Sequence, residues 1–208
     1  MTQRVVYLIR HGETEWNLLG HIQGASDIDL TDNGREQAVE VAQRLKKEAE
    51  NAVIYSSPLK RALFTANAIS DNNTIIHEGL REMDFGSWEG HKFSDFFETE
   101  LYHKFITGEE GGPFGDSGHT IAEYKKKNRE LIDELSKLNE GKTVMLVSHG
   151  AWIKCSILGL MEMDPVMYHH FEMGNTGITR FVWKNGRWVM TTFNDHSHLS
   201  KGNRANIG

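Results

Sequence analysis

The stretch VVYLIRHG at residues 5–12 decides the fold of this chain. Its first five residues are a continuous apolar run rich in β-branched side chains, which predicts a buried strand over residues 5–9. The run ends in Arg10, His11 and Gly12, so two ionisable side chains stand at the carboxyl end of a strand. Ligands of open α/β sheets bind at that end of the strands. The stretch therefore predicts a fold class and the edge of the sheet where a site should lie.

Further strands follow along the chain, with helical patterns between them. Short apolar runs predict strands over residues 52–55, 74–76 and 143–147. Two later runs, at 177–183 and 187–193, flank an Asn-Gly turn signal and predict a hairpin. Strands that alternate with helices predict an α/β fold with a mainly parallel open sheet and helices on both faces.

Capping patterns predict where three of the helices begin. Thr31 is expected to cap one helix and Thr120 another. The predicted buried face of the second helix is formed by five residues at helical spacing: Tyr124, Asn128, Leu131, Leu135 and Leu138. Ser57 before Pro58 is typical of a third helix start, with the proline at the first helical position. Arg61 is then expected one turn inside that helix.

The segment from about residue 85 to 118 breaks the alternation of strands and helices and is rich in aromatic residues. We interpret it as a helical cap inserted over the sheet edge, within a single domain that spans residues 1–208. Most of its aromatic side chains are expected to form the core of this small layer. The polar tail from Ser200 is predicted to be loose.

Composition limits the classes of partner. The net charge is −6, from 29 acidic and 23 basic residues, which disfavours nucleic acid and anionic membranes as partners. The chain has one cysteine, no segment typical of a signal peptide and no apolar run long enough to cross a membrane, so we expect a cytoplasmic protein. Any anionic substrate must be held by a few locally placed cations.

Five residues suited to phosphate chemistry follow four of the predicted strands: Arg10 and His11, then Arg61, Glu82 and His149. Arginine forks match phosphate oxygens and stay charged at any usable pH. A neutral imidazole can attack phosphorus, and a carboxylic acid can protonate the leaving oxygen and then activate water. Gly12 and Gly150 let the backbone come close to a ligand. This set predicts a phosphoryl-transfer site.

The motifs around these residues resemble those of the histidine phosphatase superfamily, which includes cofactor-dependent phosphoglycerate mutases, fructose-bisphosphatases and many broad small-molecule phosphatases. The resemblance covers nearly the whole chain. The motifs that carry it are LIRHGET at 8–14, LT at 30–31 with Gly34, SSP at 56–58 with Arg61, LRE at 80–82, FGSWEG at 85–90 and SHG at 148–150.

The resemblance implies a phosphoglycerate mutase-like fold and a role for each matching residue. His11 matches the nucleophile that is transiently phosphorylated, and Glu82 matches the proton donor. Arg10, Arg61 and His149 match the phosphate ligands, and His149 is expected to bind phosphate as the imidazolium. No metal and no cofactor are implied.

Four more residues are candidates for substrate binding. Asn17 matches a further polar contact in the pocket, Gln23 and Gly24 stand where a loop approaches the phosphate in the family, and Gly150 follows the second histidine. The assignment of Glu82 has rivals, because three other acids are near it in sequence: Glu78, Asp84 and Glu89.

Two other patterns suggest different chemistry, and we set both aside. Residues 115–118 read GDSG, the tetrapeptide around the nucleophile of trypsin-like proteases, but those are disulfide-bonded β-barrels, so a turn is the better interpretation. His169, His170, His196 and His198 show no carboxylate or cysteine pattern that supports zinc, so we expect no metal site.

The choice between phosphatase and mutase rests on the segment after Glu82. In the mutases the next residue is arginine, whereas here it is Met83, and residues 83–118 contain eight acids and two lysines. That balance disfavours a polyanionic substrate. We expect a phosphatase acting on a small-molecule phosphate monoester. A phosphoglycerate mutase and a non-catalytic protein that binds a phosphorylated ligand remain the alternatives.

Overall fold

Val5–Arg10 forms strand β1 within a six-stranded sheet. The computed structural model describes residues 4–200, so the predicted loose tail at 201–208 lies outside the described residues. The other strands are β2 (Ala52–Ser56), β3 (Ile75–Ile76), β4 (Thr143–Ser148), β5 (Ile178–Lys184) and β6 (Arg187–Asp195). Their order is β3-β2-β4-β1-β5-β6, with β1 to β4 parallel and β5 and β6 antiparallel. The predicted mainly parallel open sheet is confirmed.

Helices cover both faces of the sheet, as predicted. They are α1 (Glu15–Leu19), α2 (Asp32–Ala49), α3 (Lys60–Ser70), α4 (Glu100–Thr107), α5 (Ile121–Leu138) and α6 (Gly150–Leu160). Alternate side chains of β1 point to opposite faces. Val6 and Leu8 belong to a core shared with α5 and α6, while Tyr7 and Ile9 belong to one shared with α2 and α3. Burial on both faces explains why β1 is a continuous apolar run rather than an alternating one.

The parallel register brings the carboxyl ends of four strands to one edge of the sheet. Arg10 pairs with Ser148 and Ser56 with Ile76, so β1, β4, β2 and β3 end close to one another. The ladder continues one step past the strands, because the His11 amide donates to the Ser148 carbonyl at 3.1 Å and the Ser57 amide to the Val147 carbonyl at 3.1 Å. The residues that follow these strands therefore share one edge.

Two of the predicted helix starts are confirmed and one is wrong. Thr31 and Thr120 both cap their helices with a side-chain hydrogen bond. The helix after Pro58 begins only at Lys60, and its N-cap, Leu59, has no side-chain cap. Arg61 is thus the second residue of α3, not one turn inside it.

The face of α5 also differs from the predicted one at its end. Leu138 is 73% exposed, whereas Ile132 is fully buried.

The predicted hairpin is present, and its two turn residues, Asn185 and Gly186, have φ of 52° and 80°. Such values match the turn type that asparagine-glycine pairs favour.

Short helical turns and α4 make up most of the segment between Glu82 and α5. Its aromatic side chains pack on one another: Trp88 stacks on Phe96 with ring centroids 4.7 Å apart, and Phe85, Phe105 and Phe114 are buried. Residues 115–118 form turns and bends before the Thr120 cap, as expected. Among residues 4–200, no helix is both long and apolar enough to cross a membrane.

Candidate active site

His11 lies at the carboxyl end of β1 and is 2% exposed. Its Nδ1 is 2.6 Å from the carbonyl oxygen of Gly12. Because a carbonyl only accepts, Nδ1 must carry the hydrogen, which leaves the lone pair on Nε2. Burial, and after it the positive charges of Arg61 and Arg10, hold the pKa of His11 well below its usual value. The ring is therefore neutral and keeps one nitrogen free to act as a nucleophile.

The backbone after His11 is fixed by close packing. A Cβ on Gly12 would lie 2.3 Å from the carbonyl oxygen of Gly34, so only glycine fits there. The Gly12 amide donates to the Thr65 hydroxyl at 3.1 Å. The glycine therefore serves a close approach of α2, and its role in an approach to a ligand stays a prediction.

Two arginines line the pocket beside His11. Arg10 donates from Nη1 to the carbonyl of Met173, and Arg61 donates to the carbonyls of Ser26 at 2.6 Å and Gly24 at 2.9 Å. Burial lowers the pKa of each guanidinium to about 10, so both keep their charge at neutral pH. The Nε atom of each is buried without a hydrogen-bond partner among the described residues.

His149 is fully buried next to His11, with the two ring centroids 5.2 Å apart. Its Nε2 is 2.8 Å from the Ser57 hydroxyl, and its Nδ1 has no partner within residues 4–200. Burial is the main cause that holds the pKa of His149 well below its usual value, followed by the charge of Arg61. The ring is neutral in the free protein, so the imidazolium assumed for phosphate binding is absent before a ligand arrives.

Glu82 lines the pocket at the start of α6. Its carboxylate accepts from the backbone amides of Trp152 at 2.9 Å and Ala151 at 3.1 Å. These bonds and the charge of Arg61 lower its pKa, but burial outweighs them and the net pKa is raised. A carboxyl group with a raised pKa is suited to donate a proton near neutrality.

The three rival carboxylates are engaged elsewhere. Glu78 pairs with Arg81 on the surface, and Asp84 accepts from the Gly86 amide. Glu89 accepts from the amides of Ala25 and Ser26 and from the Ser26 hydroxyl. It thereby fixes the loop whose carbonyls hold Arg61. None of the three belongs to the pocket wall.

The four substrate-binding candidates all lie in that wall. Asn17 uses its carbonyl oxygen on Thr14 and Asn175, so its amide nitrogen is the group left for a ligand. Gln23 likewise accepts from the Thr14 hydroxyl at 2.9 Å. Gly24 contributes a carbonyl to Arg61, and a Cβ on Gly150 would lie 3.6 Å from Arg10 Nε.

Several residues of the site were not predicted. Trp16, His21, Tyr168 and Lys154 line the pocket, and Asn175 donates to the carbonyl of His11 at 3.1 Å. Lys154 had a usable signal, since it lies one turn after Gly150 on the same face of α6. The hydrogen bond between Asn175 and His11 joins residues that are 164 positions apart, so no local sequence pattern predicts it. Residues 4–200 contain no group of three or more His, Cys, Asp or Glu arranged to hold a metal ion.

Known proteins resemble this chain in both sequence and fold. The sequence model of the histidine phosphatase superfamily (branch 1) matches residues 6–196. A mutant phosphoserine phosphatase from Entamoeba histolytica, solved with phosphoserine, is 53% identical, with a TM-score of 0.92 and coverage of 96% of this chain and 100% of that one.

Two curated proteins are also similar along most of their length. The metal-independent phosphoserine phosphatase of Arabidopsis thaliana is 29% identical over 201 residues, 94% of this chain and 83% of that protein. A probable phosphoglycerate mutase GpmB from Yersinia enterocolitica is 33% identical over 204 residues, 93% of this chain and 94% of that protein. With a family model that spans nearly the whole described chain, this protein belongs to branch 1 of the histidine phosphatase superfamily.

Proposed function

We propose that this protein is a phosphatase that hydrolyses small phosphate monoesters through a phosphohistidine on His11. One observation carries the proposal: His11 is neutral, has its hydrogen fixed on Nδ1, and lies beside two charged arginines. Among residues 4–200, the Nε–H groups of both arginines have no hydrogen-bond partner. Unpaired buried donors of this kind are rare in folded proteins and need a partner. An anionic phosphoryl group supplies that partner.

In the first step, the phosphoryl oxygens accept from Arg10, Arg61 and the Nδ1–H of His149. A phosphate oxygen only accepts, so His149 needs its hydrogen on Nδ1, with Nε2 accepting from Ser57. The His11 Nε2 lone pair forms a bond to phosphorus while the phosphorus–oxygen ester bond breaks. Glu82 gives its proton to the departing oxygen, which leaves as an alcohol.

In the second step, the ionised Glu82 takes a proton from water as the water oxygen bonds to phosphorus. The bond between His11 and phosphorus breaks, and its electron pair returns to Nε2. Inorganic phosphate is released, and Glu82 is protonated again. The balanced reaction is ester plus water to alcohol plus phosphate, with no metal or cofactor required by any step.

We also propose that phosphoserine, or an acid of similar shape, is the substrate. The support is the likeness to the Entamoeba enzyme, whose structure contains phosphoserine. Residues 85–118 would form the cap of this single domain and close the pocket with Phe85 and Phe93. The expected cytoplasmic location stays a prediction.

The mutase alternative draws support from the likeness to the probable GpmB of Yersinia. Met83 argues against it, because its side chain is fully buried among apolar residues and offers nothing to a second anionic group. Binding without catalysis would need neither a free Nε2 on His11 nor a carboxyl group beside it.

One experiment distinguishes a phosphatase from a mutase and from a non-catalytic binding protein. Purified protein in EDTA is given O-phosphoserine in one assay and 2- or 3-phosphoglycerate in another. Release of phosphate from phosphoserine, faster than interconversion of the phosphoglycerates, is the expected result. Faster interconversion would identify a mutase, and a stable complex with no turnover would identify a binding protein. Activity restored only by added magnesium or zinc would contradict the metal-free mechanism.

A further inference from the structure

Lys154 is a cation in the pocket wall that the steps above do not use. It lies on α6 and shares the wall with Arg10 and Glu82. Among the residues that the structure describes, it has no hydrogen bond and no ion pair, and its Nζ lies 4.8 Å from the centroid of the Tyr168 ring. A lysine in a half-buried position without a carboxylate partner is unusual.

The surroundings of Lys154 leave its charge under-compensated. Burial is the main cause that lowers its pKa to about 8, and the like charge of Arg10 acts in the same direction. Glu172 and Glu82 act in the opposite direction but do not offset the burial. An anionic group on a bound ligand would compensate the positive charge of Lys154, as the partner charge does in other partly desolvated ion pairs.

The position of Lys154 indicates which part of a substrate it meets. Ala151 and Lys154 are three residues apart on α6 and both line the pocket, which places Lys154 about 4.5 Å further along the helix axis. The Ala151 amide holds the carboxylate of Glu82. In the proposed mechanism Glu82 protonates the leaving oxygen, and Lys154 lies one helical turn further along α6 in the same pocket wall, where it can meet the leaving group.

We propose that Lys154 receives a carboxylate on the leaving group and selects phosphate esters of 3-hydroxy acids. In such esters the carboxyl carbon is three bonds from the ester oxygen, a span of roughly 4 Å when extended. Phosphoserine and 3-phosphoglycerate both have this spacing. A second phosphate fits less well, because Lys154 is one cation with Glu82 and Glu172 near it. The inference rests on the proposed function and names the residue that sets its specificity.

A pair of substrates that differ only in the carboxylate tests this inference. O-phosphoserine and O-phosphoethanolamine have the same phosphate, the same kind of leaving oxygen and the same ammonium group. For Lys154→Met, kcat/KM with phosphoserine should fall about 10- to 100-fold, chiefly through KM, while kcat/KM with phosphoethanolamine stays within about twofold. Lys154→Arg should recover most of the loss, and Lys46→Met, on the exposed side of α2, should change neither.

An equal loss with both substrates, or no loss with phosphoserine, would overturn the inference. The wild-type protein provides a check that does not depend on the folding of a variant. Its kcat/KM should favour phosphoserine over phosphoethanolamine by at least about tenfold, and a ratio near one would also overturn it.

A binding measurement separates failure of this inference from failure of the proposed function. In the His11→Ala protein, which should not turn over, calorimetry should show tighter binding of 3-phosphoglycerate than of glycerol 3-phosphate. Lys154→Met in that background should remove the difference. If both ligands bind equally, Lys154 does not read the carboxylate, whether or not the wild-type protein is a phosphatase.

Discussion

The ends of β1 and β4 look alike in sequence and differ in what they do. Each strand is followed directly by a histidine and a glycine, and the two strands are paired. Both imidazoles are buried, and burial holds the pKa of each well below its usual value. At His11, Nδ1 donates to the next carbonyl and Nε2 is left free. At His149, Nε2 contacts the Ser57 hydroxyl, and Nδ1 has no hydrogen-bond partner in the described part of the chain.

This difference follows from the path of the chain after each strand. Past His11 the backbone continues as a loop, and the carbonyl of Gly12 meets the ring. After His149 the backbone enters α6 directly, and the ring instead contacts Ser57 in the loop after β2. One histidine is thus arranged as a nucleophile and the other as a donor, although burial gives both the same protonation state.

The largest effect should come from removing each histidine in turn. His11→Ala is expected to lose at least about 10⁴-fold in kcat, because no other group can form the covalent intermediate. His149→Ala is expected to lose about 10²-fold, the usual effect of removing one donor to transition-state charge. Steady-state rates with phosphoserine measure both. Equal losses would remove the distinction between the two strand ends.

In the proposed mechanism the proton comes from Glu82, whose carboxyl group is held by two backbone amides at the start of α6, after β4. Glu82→Gln should lose about 10³-fold with an alkyl phosphate, whose leaving oxygen needs a proton, and far less with nitrophenyl phosphate. Burst kinetics must first show that phosphorylation limits both reactions. Equal slowing of the two substrates would make Glu82 a binding residue, and Asp84→Asn would then be compared in the same way.

A smaller effect should follow from Ser57, which we regard as a positioning residue for His149. Ser57→Ala is expected to reduce kcat/KM about tenfold, since a hydrogen bond of this kind is worth on the order of 1.4 kcal/mol. Ser57→Thr should restore the rate, and nitrogen NMR should show the tautomer of His149 change only in Ser57→Ala. Ser56→Ala is the matched control, because it removes a buried hydroxyl that donates to the Ser57 carbonyl and does not touch the ring.

The smallest effect concerns pH. Burial and the charge of Arg61 hold the pKa of His149 well below its usual value in the free protein, so the imidazole is neutral near pH 7. The profile of kcat/KM reports the free enzyme. His149→Asn should therefore lower this profile without changing its shape. If His149 acted as an imidazolium in the free protein, the wild-type rate would fall as pH rises through its pKa, and the variant would lose that slope.

The sequence predicted the parts of this site that follow strands. Arg10, His11, Arg61 and Glu82 meet because parallel strands share an edge, and a run of apolar residues is enough to locate each strand. The role of Ser57 could not be predicted in this way. A serine before proline indicates a helix cap, and the Ser57 hydroxyl does accept from the Leu59 amide at 3.2 Å. The helix nevertheless begins only at Lys60, and the same hydroxyl also contacts His149, 92 residues away.

Trapping the phosphorylated enzyme tests the difference between the two histidines most directly. Protein quenched during turnover of labelled phosphoserine should carry a phosphate that is labile in acid and stable in base, as phosphohistidine is. Peptide mapping should place it on Nε2 of His11 in the wild-type protein and in His149→Asn, with no label in His11→Ala. A label on His149, or one retained in His11→Ala, would contradict the account.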